Sequence, residues 1–395
     1  MFMKKMKCLL FILVVLLLFL TISCKKDTKT SLDDCSIEHE TEFGGIYVHK
    51  TIEQFNELGF EYGDSVDVSF SNGKELNDIP YYNGYYTKNG EVLLVAYPGY
   101  PYIKVCINNG DDLWERIGVL QGTLNSEKKL LWDKLSLNSD TTVNISLNEK
   151  GKYKDVQEAR DIHYSDDIND YPSSASNYVF ANFRSLKGGR LKENIVFRSA
   201  SPCDNQHNRS KYVDNLIESV GINYILNLAD NDQKINGYMA KDDFSSDYFK
   251  SLYENNKVLP LAMNMNFESS YFKAQTIKAL SAISEHEGPY LVHCTEGKDR
   301  TGFLCILIEA LAGASYREIV EDYMTTYFNY YSLLGEFDSK KYDVIVSNVL
   351  NPMIDTITGN NDYDNISFRD CAYQYLLSNG MERSLIEEVE SRICE

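Results

Sequence analysis

The sequence predicts an α/β domain with a mostly parallel central sheet flanked by helices, preceded by a small β-rich barrel or sandwich. The chain has 395 residues, which is more than one hydrophobic core usually organises. Residues 43–150 contain β-branched runs separated by turn signals. Residues 175–395 alternate short apolar runs with segments of helical periodicity, which is typical of a parallel sheet covered by helices. Two domains are therefore expected, joined by the polar, turn-rich residues 151–174.

The β-rich part is predicted from strand-like runs and from the turns between them. DSVDVSF alternates apolar and polar residues, and GEVLLVAY and PYIKVCI are rich in β-branched residues. Asn-Gly pairs at 72–73, 83–84 and 89–90 are typical of hairpin turns. In its turns and apolar positions, the stretch 79–110 resembles the C-terminal β-domain of the S-adenosylmethionine hydroxide adenosyltransferases. That resemblance includes no catalytic residue, so it implies a fold only.

The α/β part is predicted from four strand-like runs and the helices between them. The predicted strands are NIVFRSA, INYILNL, KVLPLAM and PYLVHC. SKYVDNLIESV carries its apolar residues on one helical face and is followed by Gly221, a residue favoured as a C-terminal cap. Ser315 with Glu318, and Ser384 with Glu387, have the spacing of capping boxes, so a helix is expected to begin at each serine.

The N-terminal residues predict export and attachment to a membrane. Residues 1–24 combine the basic MFMKKMK with the apolar CLLFILVVLLLFL and end at Cys24, a pattern that resembles a bacterial lipoprotein signal. The resemblance implies a lipid on Cys24, followed by a polar tether over residues 25–42. An uncleaved membrane helix, or simple secretion, is the alternative, since the apolar run is nearly long enough to span a bilayer. In each case we expect the protein to lie outside the cytoplasm.

Charge and cysteine usage limit the possible partners. The net charge of −19 argues against a nucleic-acid partner, because a phosphate backbone demands a basic face. Nine cysteines less Cys8 and Cys24 leave an odd number, with no CxxC pair and no metal-ligand spacing, so neither a metal nor another cofactor is expected. An odd number leaves at least one thiol unpaired, and Cys294 is the natural candidate.

The segment HCTEGKDRTG, residues 293–302, lies between the apolar runs PYLV and FLCILIEALAG. A tight loop that joins a strand to a helix directs its amides and the positive end of the helix dipole to one point. Gly297 permits a backbone conformation that a side chain would obstruct, and Arg300 can bind two phosphate oxygens at once. The same field would stabilise a thiolate on Cys294. These residues predict nucleophilic phosphoryl transfer through a phosphocysteine that water then hydrolyses.

The segment resembles the His-Cys-x5-Arg-Thr/Ser-Gly loop of the cysteine-dependent tyrosine and dual-specificity phosphatases. Its GKDR form resembles the bacterial tyrosine and lipid phosphatase branch, and so do ANFRSLKGG, VFRSASP and INYILNLAD, over roughly residues 175–330. The resemblance implies that Cys294 is the nucleophile, that Thr301 stabilises its thiolate and that His293 braces the loop. The residues expected to hold the phosphate are Thr295, Glu296, Gly297, Lys298, Asp299 and Arg300.

The sequence offers three candidates for the general acid. Most members of the family supply an aspartate from a loop well before the cysteine, but there is no Asp between Asp247 and Asp299. Asp299 is the first choice, because the KDR branch has been interpreted as using that position. Asp230, which follows INYILNL, and Glu268, in NMNFESSYF, are the alternatives. A general acid must lie close enough to give its proton to the leaving oxygen, and the positions of these residues along the chain do not show which of them does.

The loop also bears on the substrate. Lys298 resembles the lysine of phosphoinositide-cleaving relatives and would favour additional phosphates, whereas Glu296 opposes that preference. Arg184 and Arg198 either extend the rim of the pocket or form structural ion pairs. We expect a protein-tyrosine-type phosphatase acting on a phosphorylated protein, with a phosphoinositide or small-metabolite phosphatase as the alternative. The alternative that is not primarily an enzyme is a surface lipoprotein that binds phosphate with little turnover.

Overall fold

The computed structural model describes residues 30–41, 44–88, 90–108, 112–114, 117–121, 129–133, 135, 137–172, 176–331 and 338–395. The predicted signal and Cys24 lie outside the described residues. Within these ranges, no helix is both long and apolar enough to cross a membrane.

The first part of the chain forms a closed barrel of seven strands. The strands are β1 Ser31–Glu40, β2 Gly45–Val48, β3 Ser65–Phe70, β4 Glu75–Tyr82, β5 Val92–Val95, β6 Ile103–Ile107 and β9 Thr142–Glu149, and helix α1 is Ile52–Glu57. Their order is β1-β2-β6-β5-β4-β3-β9, and β7 (Ile117–Gln121) and β8 (Lys129–Asp133) form a separate ribbon. Alternate residues of the strands fill the interior, where the ring of Phe55 on α1 stacks on Phe60 with centroids 4.1 Å apart.

One of the predicted hairpin turns joins antiparallel neighbours. The pair 72–73 connects β3 to β4, which are antiparallel. The pair 83–84 lies between β4 and β5, which run parallel, so the prediction of a hairpin is wrong there. The prediction for the pair 89–90 includes Asn89, which lies outside the described residues. The side chain of Asn83 does not serve a local turn, because it hydrogen-bonds to Gln157 and Asp161, far along the chain.

The second part is built on a five-stranded sheet. Its strands are β10 Arg184–Ser185, β11 Val196–Ser199, β12 Tyr224–Asn227, β13 Val258–Pro260 and β14 Tyr290–His293, in the order β10-β11-β14-β12-β13. The pairs β11/β14, β14/β12 and β12/β13 are parallel, and β10 is antiparallel to β11. His293 is in register with Ser199 on one side and Asn227 on the other, so the segments that follow these strands meet at one edge. The mixed α/β class is confirmed.

Helices cover both faces of this sheet. They are α2 Lys154–Arg160, α3 Asn177–Phe180, α4 Ser210–Val220, α5 Asp232–Met239, α6 Asp247–Glu254, α7 Ser270–Glu285, α8 Asp299–Leu311, α9 Tyr316–Tyr330, α10 Ser339–Ile345, α11 Asn351–Thr358, α12 Phe368–Ser378 and α13 Arg383–Ile393. One core packs α7, α8 and α9 on one face, and a second packs α4 and α6 on the other. Every residue of α8 from Thr301 to Leu311 is buried, which explains why this helix is apolar all round.

The helix ends show which local signals act in the folded chain. Helix α4 ends at Gly221, whose φ of 72° is the left-handed cap that the sequence predicts. The capping box of Ser315 and Glu318 is present at the start of α9. The one predicted at Ser384 is wrong, because α13 begins two residues earlier, at Arg383 with Glu382 as its N-cap, which leaves Ser384 inside the first turn.

The two serines provide a matched pair for measuring the cap. We expect Ser315→Ala to lower the free energy of unfolding by about 1 kcal/mol, since it removes a side-chain acceptor for an amide of the first turn. Ser384→Ala should change it by only a few tenths of a kcal/mol, about the difference in helix propensity. Urea unfolding of both variants, followed by circular dichroism, checks this, and equal losses would contradict the assignment of the caps.

Candidate active site

The loop predicted to bind phosphate joins β14 to α8 at the edge where the parallel strands end. Cys294 is the first residue after β14 and is 3% exposed. Asp299, Arg300 and Thr301 form the first turn of α8, with Lys298 as its N-cap. The sequence-predicted loop residues are thus brought together at the N-terminus of a buried helix, where the dipole favours negative charge.

The carbonyl groups of the loop are hydrogen-bonded from behind. The Tyr330 hydroxyl donates to the Glu296 carbonyl at 2.6 Å, and Arg198 Nη2 donates to the Gly297 carbonyl at 2.8 Å. Asn182 Nδ2 also donates to the Gly297 carbonyl, at 3.3 Å. By contrast, the amides of residues 295–300 donate to no group within the described ranges. The peptide planes therefore leave a series of N–H groups available to an anion.

Gly297 is required by the backbone and by its surroundings. Its φ is +67°, in the left-handed region that residues with a side chain rarely adopt. A Cβ at this position would lie 2.1 Å from the carbonyl oxygen of Ser199, at the end of the neighbouring strand β11. Any other residue would therefore push the loop away from the sheet edge.

Behind the loop, one carboxylate binds two buried arginines. Asp322 on α9 accepts from Arg198 Nη1 at 2.5 Å and from Arg184 Nε at 2.7 Å. Burial alone would raise the pKa of Asp322, but the two guanidinium groups outweigh it and lower that pKa, so the carboxylate is charged. Of the two roles considered for Arg184 and Arg198, the structural ion pair is the one observed. Sequence reasoning missed Asp322, which lies far from both along the chain.

Arg300 and Thr301 carry polar atoms that have no partner within the described residues. Arg300 is oriented by Nη1, which donates to the Met263 carbonyl at 3.2 Å, and by Nη2, which donates to Thr295 Oγ1 at 3.3 Å. Its Nε and the Thr301 hydroxyl are buried and unpartnered there. A buried unpaired donor costs free energy, so an oxyanion or a thiolate at this point would be stabilised by both groups.

His293 is a neutral, buried side chain that supports the loop. It is fully buried at the end of β14, and its Nδ1 donates to the Cys294 carbonyl at 3.2 Å. Burial, assisted by the charge of Arg300, lowers the pKa of His293 to about 4. The imidazole is therefore uncharged at neutral pH, as a bracing role requires.

Glu296 and Lys298 neutralise each other within the loop. Lys298 Nζ lies 2.8 Å from Glu296 Oε2 and 3.9 Å from Asp299 Oδ2. Burial would raise the pKa of Glu296, but Lys298 and a hydrogen bond with Tyr164 lower it to about 2. The charge of Lys298 is therefore compensated within the loop by Glu296.

The three candidates for the general acid lie in different surroundings. Asp299 is next to Arg300, is 29% exposed at its side chain, and accepts from the Tyr323 hydroxyl at 3.5 Å. Asp230 follows β12 at the same sheet edge, where it is 2% exposed and accepts from Asn227 Nδ2 at 3.2 Å. Glu268 is exposed in the segment before α7. Of the three, only Asp299 belongs to the segment that follows Cys294, at the first turn of α8.

Part of this chain is similar to known proteins. Residues 179–361 match the tyrosine phosphatase family. The core catalytic domain of the PP-IP phosphatase SIW14 from S. cerevisiae, solved with citrate, is 21% identical over 42% of this chain and 85% of that chain, with a TM-score of 0.26. A second structure of the Siw14 catalytic core is 19% identical over 42% of this chain and 94% of that chain, with a TM-score of 0.24. No curated protein matches the chain.

The match covers 183 of the 395 residues and includes the whole phosphate loop. The chain is a phosphoric monoester hydrolase with a cysteine-based phosphatase domain, and the predicted enzyme class is confirmed. All the cysteines within the described residues are unpaired, Cys294 among them. In the same residues, no cluster of His, Cys, Asp and Glu side chains could hold a metal ion.

Part of the segment predicted as a linker packs against the phosphatase loop. The ring of Tyr164 stacks on Tyr330 with centroids 5.0 Å apart, and the Tyr330 hydroxyl donates to the Glu296 carbonyl of the loop. Arg209, which is 2% exposed, holds the segment through Asp166 Oδ1 at 2.6 Å. Sequence reasoning missed these contacts, because a polar, turn-rich stretch carries no periodic signal.

The requirement for glycine at position 297 gives a sharp test. We expect Gly297→Ala to lower kcat/KM for p-nitrophenyl phosphate by about 100-fold or more, the cost of misplacing preorganised donors. Gly313→Ala is the matched control, because Gly313 has a φ of +79° but nothing within 4 Å of the added carbon. That control should lose stability and keep its activity. Equal activity in the two variants would contradict the role assigned to Gly297.

Proposed function

We propose that this protein is a protein-tyrosine-type phosphatase that hydrolyses aryl phosphate monoesters through a phosphocysteine on Cys294. The observation that carries the proposal is the orientation of the loop, whose carbonyls are bound from behind while its amides are left for an anion. Arg300, held by Thr295 and Met263, adds a fork that suits two phosphate oxygens. These donors surround the residue that bears the thiol.

In the proposed mechanism the loop binds the phosphate and Cys294 attacks it. The thiolate sulfur forms a bond to phosphorus as the bond from phosphorus to the leaving oxygen breaks. The general acid, for which Asp299 is our choice, gives its proton to that oxygen. A water then attacks the phosphocysteine and gives a proton back to the same carboxylate. The S–P bond breaks, which releases inorganic phosphate and restores the thiolate.

The charges of the loop support a substrate with one phosphate. Because Lys298 pairs with Glu296 at 2.8 Å, its charge is already compensated before any substrate binds. A phosphotyrosine-type ester needs only the amides and Arg300. The second candidate substrate is a phosphoinositide or a small phosphorylated metabolite. The presence of Lys298 favours it, since the lysine could leave Glu296 and bind an additional phosphate of the substrate.

Sequence alone supports the proposed location. We propose that Cys24 carries a lipid and that the enzyme acts outside the cytoplasm of a bacterium. The support is the basic start, the apolar core and the small residue before Cys24. The prediction of a polar tether over residues 25–42 is wrong for Ser31–Glu40, because this segment forms strand β1 of the barrel. Phosphorylated proteins or lipids that reach that compartment would be its substrates.

Loss of the nucleophile tests the reaction and its substrate together. We expect the wild type to hydrolyse a phosphotyrosine peptide with a higher kcat/KM than an inositol phosphate, and orthovanadate to inhibit both reactions. Cys294→Ser should lower turnover by at least about 1000-fold, since it removes the nucleophile. Cys371→Ser is the control, because this thiol is also unpaired and lies on α12. Vanadate binding without turnover by the wild type would instead indicate a phosphate-binding protein.

The choice among the three carboxylates is tested by changing the leaving group. A general acid matters more for phenol than for the better leaving group p-nitrophenol. We expect Asp299→Asn to lower kcat for phenyl phosphate by about 100-fold and to affect p-nitrophenyl phosphate much less. Asp230→Asn and Glu268→Gln should leave the ratio of the two rates unchanged. A selective effect in either of these variants would move the assignment to that residue.

A further inference from the structure

Tyr164 lies outside the segment that matches the phosphatase family, in the stretch between the barrel and the phosphatase domain. Its ring stacks on Tyr330, the last residue of α9, with centroids 5.0 Å apart and planes inclined by 23°. The same ring meets Tyr331 at a steep angle, with centroids 5.6 Å apart. Tyr164 is therefore packed on the end of the helix that supports the phosphate loop.

Tyr330 connects Tyr164 to the phosphate loop. It is fully buried, and its hydroxyl donates to the Glu296 carbonyl at 2.6 Å. Because a peptide group is planar, the direction of the Glu296 carbonyl also fixes the direction of the Gly297 N–H. That N–H is one of the amides left for an anion in the described residues. A shift of the Tyr330 ring would thus turn a donor away from the phosphate.

Arg209 fixes the main chain beside Tyr164. This arginine is 2% exposed and is the N-cap of α4. Its Nη2 donates to the Ser165 carbonyl at 2.9 Å, and its Nη1 donates to Asp166 Oδ1 at 2.6 Å. Its other bonds go to two carbonyl groups and a hydroxyl, those of Phe180, His207 and Tyr171. Every N–H of the guanidinium therefore has an acceptor, and none is left to a ligand.

The guanidinium of Arg209 also packs on the two stacked rings. Its central carbon lies 4.9 Å from the centroids of both Tyr164 and Tyr330. On a third side it lies 4.6 Å from the centroid of Phe180. A buried cation is attracted by aromatic faces, so the arginine and the rings hold one another in place. Tyr164, Arg209 and Tyr330 thus form one cluster behind the loop.

We propose that Tyr164 is a positioning residue for the phosphatase reaction and that Arg209 fixes it in that role. The ring of Tyr164 acts through Tyr330, whose hydroxyl orients the peptide between Glu296 and Gly297. This inference rests on the proposed function, because it concerns the same phosphate loop. It gives a part in the active site to a stretch of chain that precedes the family segment.

A double-mutant cycle between Tyr164 and Tyr330 tests the inference in the full-length protein. We expect Tyr164→Leu and Tyr330→Phe each to lower kcat/KM for p-nitrophenyl phosphate by about 10-fold, less than the loss of a whole preorganised donor. Because Tyr164 acts through the Tyr330 hydroxyl, combining the two changes should cost no more than about twofold beyond either alone. Losses that multiply to about 100-fold, or no loss in Tyr164→Leu, would overturn the inference.

The conservative variant and a matched control separate positioning from stability. Tyr164→Phe keeps the stacked ring and should restore most of kcat/KM. Tyr363→Leu is the control, because Tyr363 stacks on Tyr316 at the opposite end of α9, with centroids 4.5 Å apart. It should lower the melting temperature and leave kcat/KM unchanged. Equal losses of activity in Tyr164→Phe and Tyr164→Leu, or in both leucine variants, would contradict positioning through the stacked ring.

The part assigned to Arg209 is tested through Asp166, so that the buried arginine itself stays in place. Asp166→Ala removes the carboxylate that ties Arg209 to the chain next to Tyr164. It should lower kcat/KM by a smaller factor than Tyr164→Leu does, and have no further effect once Tyr164 is leucine. The same loss in both backgrounds would show that this contact does not act through Tyr164.

A binding measurement separates this inference from the proposed function. In a Cys294→Ser background, Tyr164→Leu should weaken binding of inorganic phosphate by about 10-fold in calorimetry, and Tyr164→Phe should not. If the wild type hydrolyses no aryl phosphate, the proposed function fails, while phosphate binding still decides the role of Tyr164. Hydrolysis by the wild type, with the same kcat/KM and the same phosphate affinity after Tyr164→Leu, would overturn the inference alone.

Discussion

The pairing of Asp322 with Arg184 and Arg198 is the interaction on which the phosphate loop depends. Arg198 is fully buried, and a buried guanidinium without a counter-charge would be strongly destabilising. With Asp322 at Nη1, the other nitrogen, Nη2, is held against the Gly297 carbonyl. That contact turns the peptide so that its carbonyl faces the protein interior. The residues that position the phosphate site are therefore a charged cluster that no substrate touches.

The site combines satisfied and unsatisfied polar groups in a specific way. The groups that shape the loop are all paired: the carbonyls of Glu296 and Gly297, and the side chain of His293 at Nδ1. Among the donors of the loop and of the first turn of α8, the amides of 295–300, Arg300 Nε and the Thr301 hydroxyl have no partner in the described residues. Because buried polar groups are nearly always paired in folded proteins, those left unpaired at one point indicate where an anion binds.

The parts of the fold that could be predicted from sequence depend on neighbouring residues. The start of α8 at the loop, the end of α4 at Gly221 and the cap at Ser315 each follow from a few adjacent positions. The parts that could not be predicted depend on contacts between distant segments. The hairpin expected at 83–84 is wrong because β4 and β5 pair in parallel, and Arg198 on β11 has its partner Asp322 on helix α9. The general acid stays undecided for the same reason, since reach depends on where three separate segments meet.

The central claim is that the phosphoryl group passes through the sulfur of Cys294. The most direct measurement is to mix the wild-type protein with an aryl phosphate, stop the reaction within milliseconds and determine the mass and position of any modification by mass spectrometry. The account predicts one phosphoryl group, attached to the peptide that contains Cys294 and lost when hydrolysis is allowed to finish. Turnover with an unmodified Cys294, or with phosphate on a different residue, would contradict it.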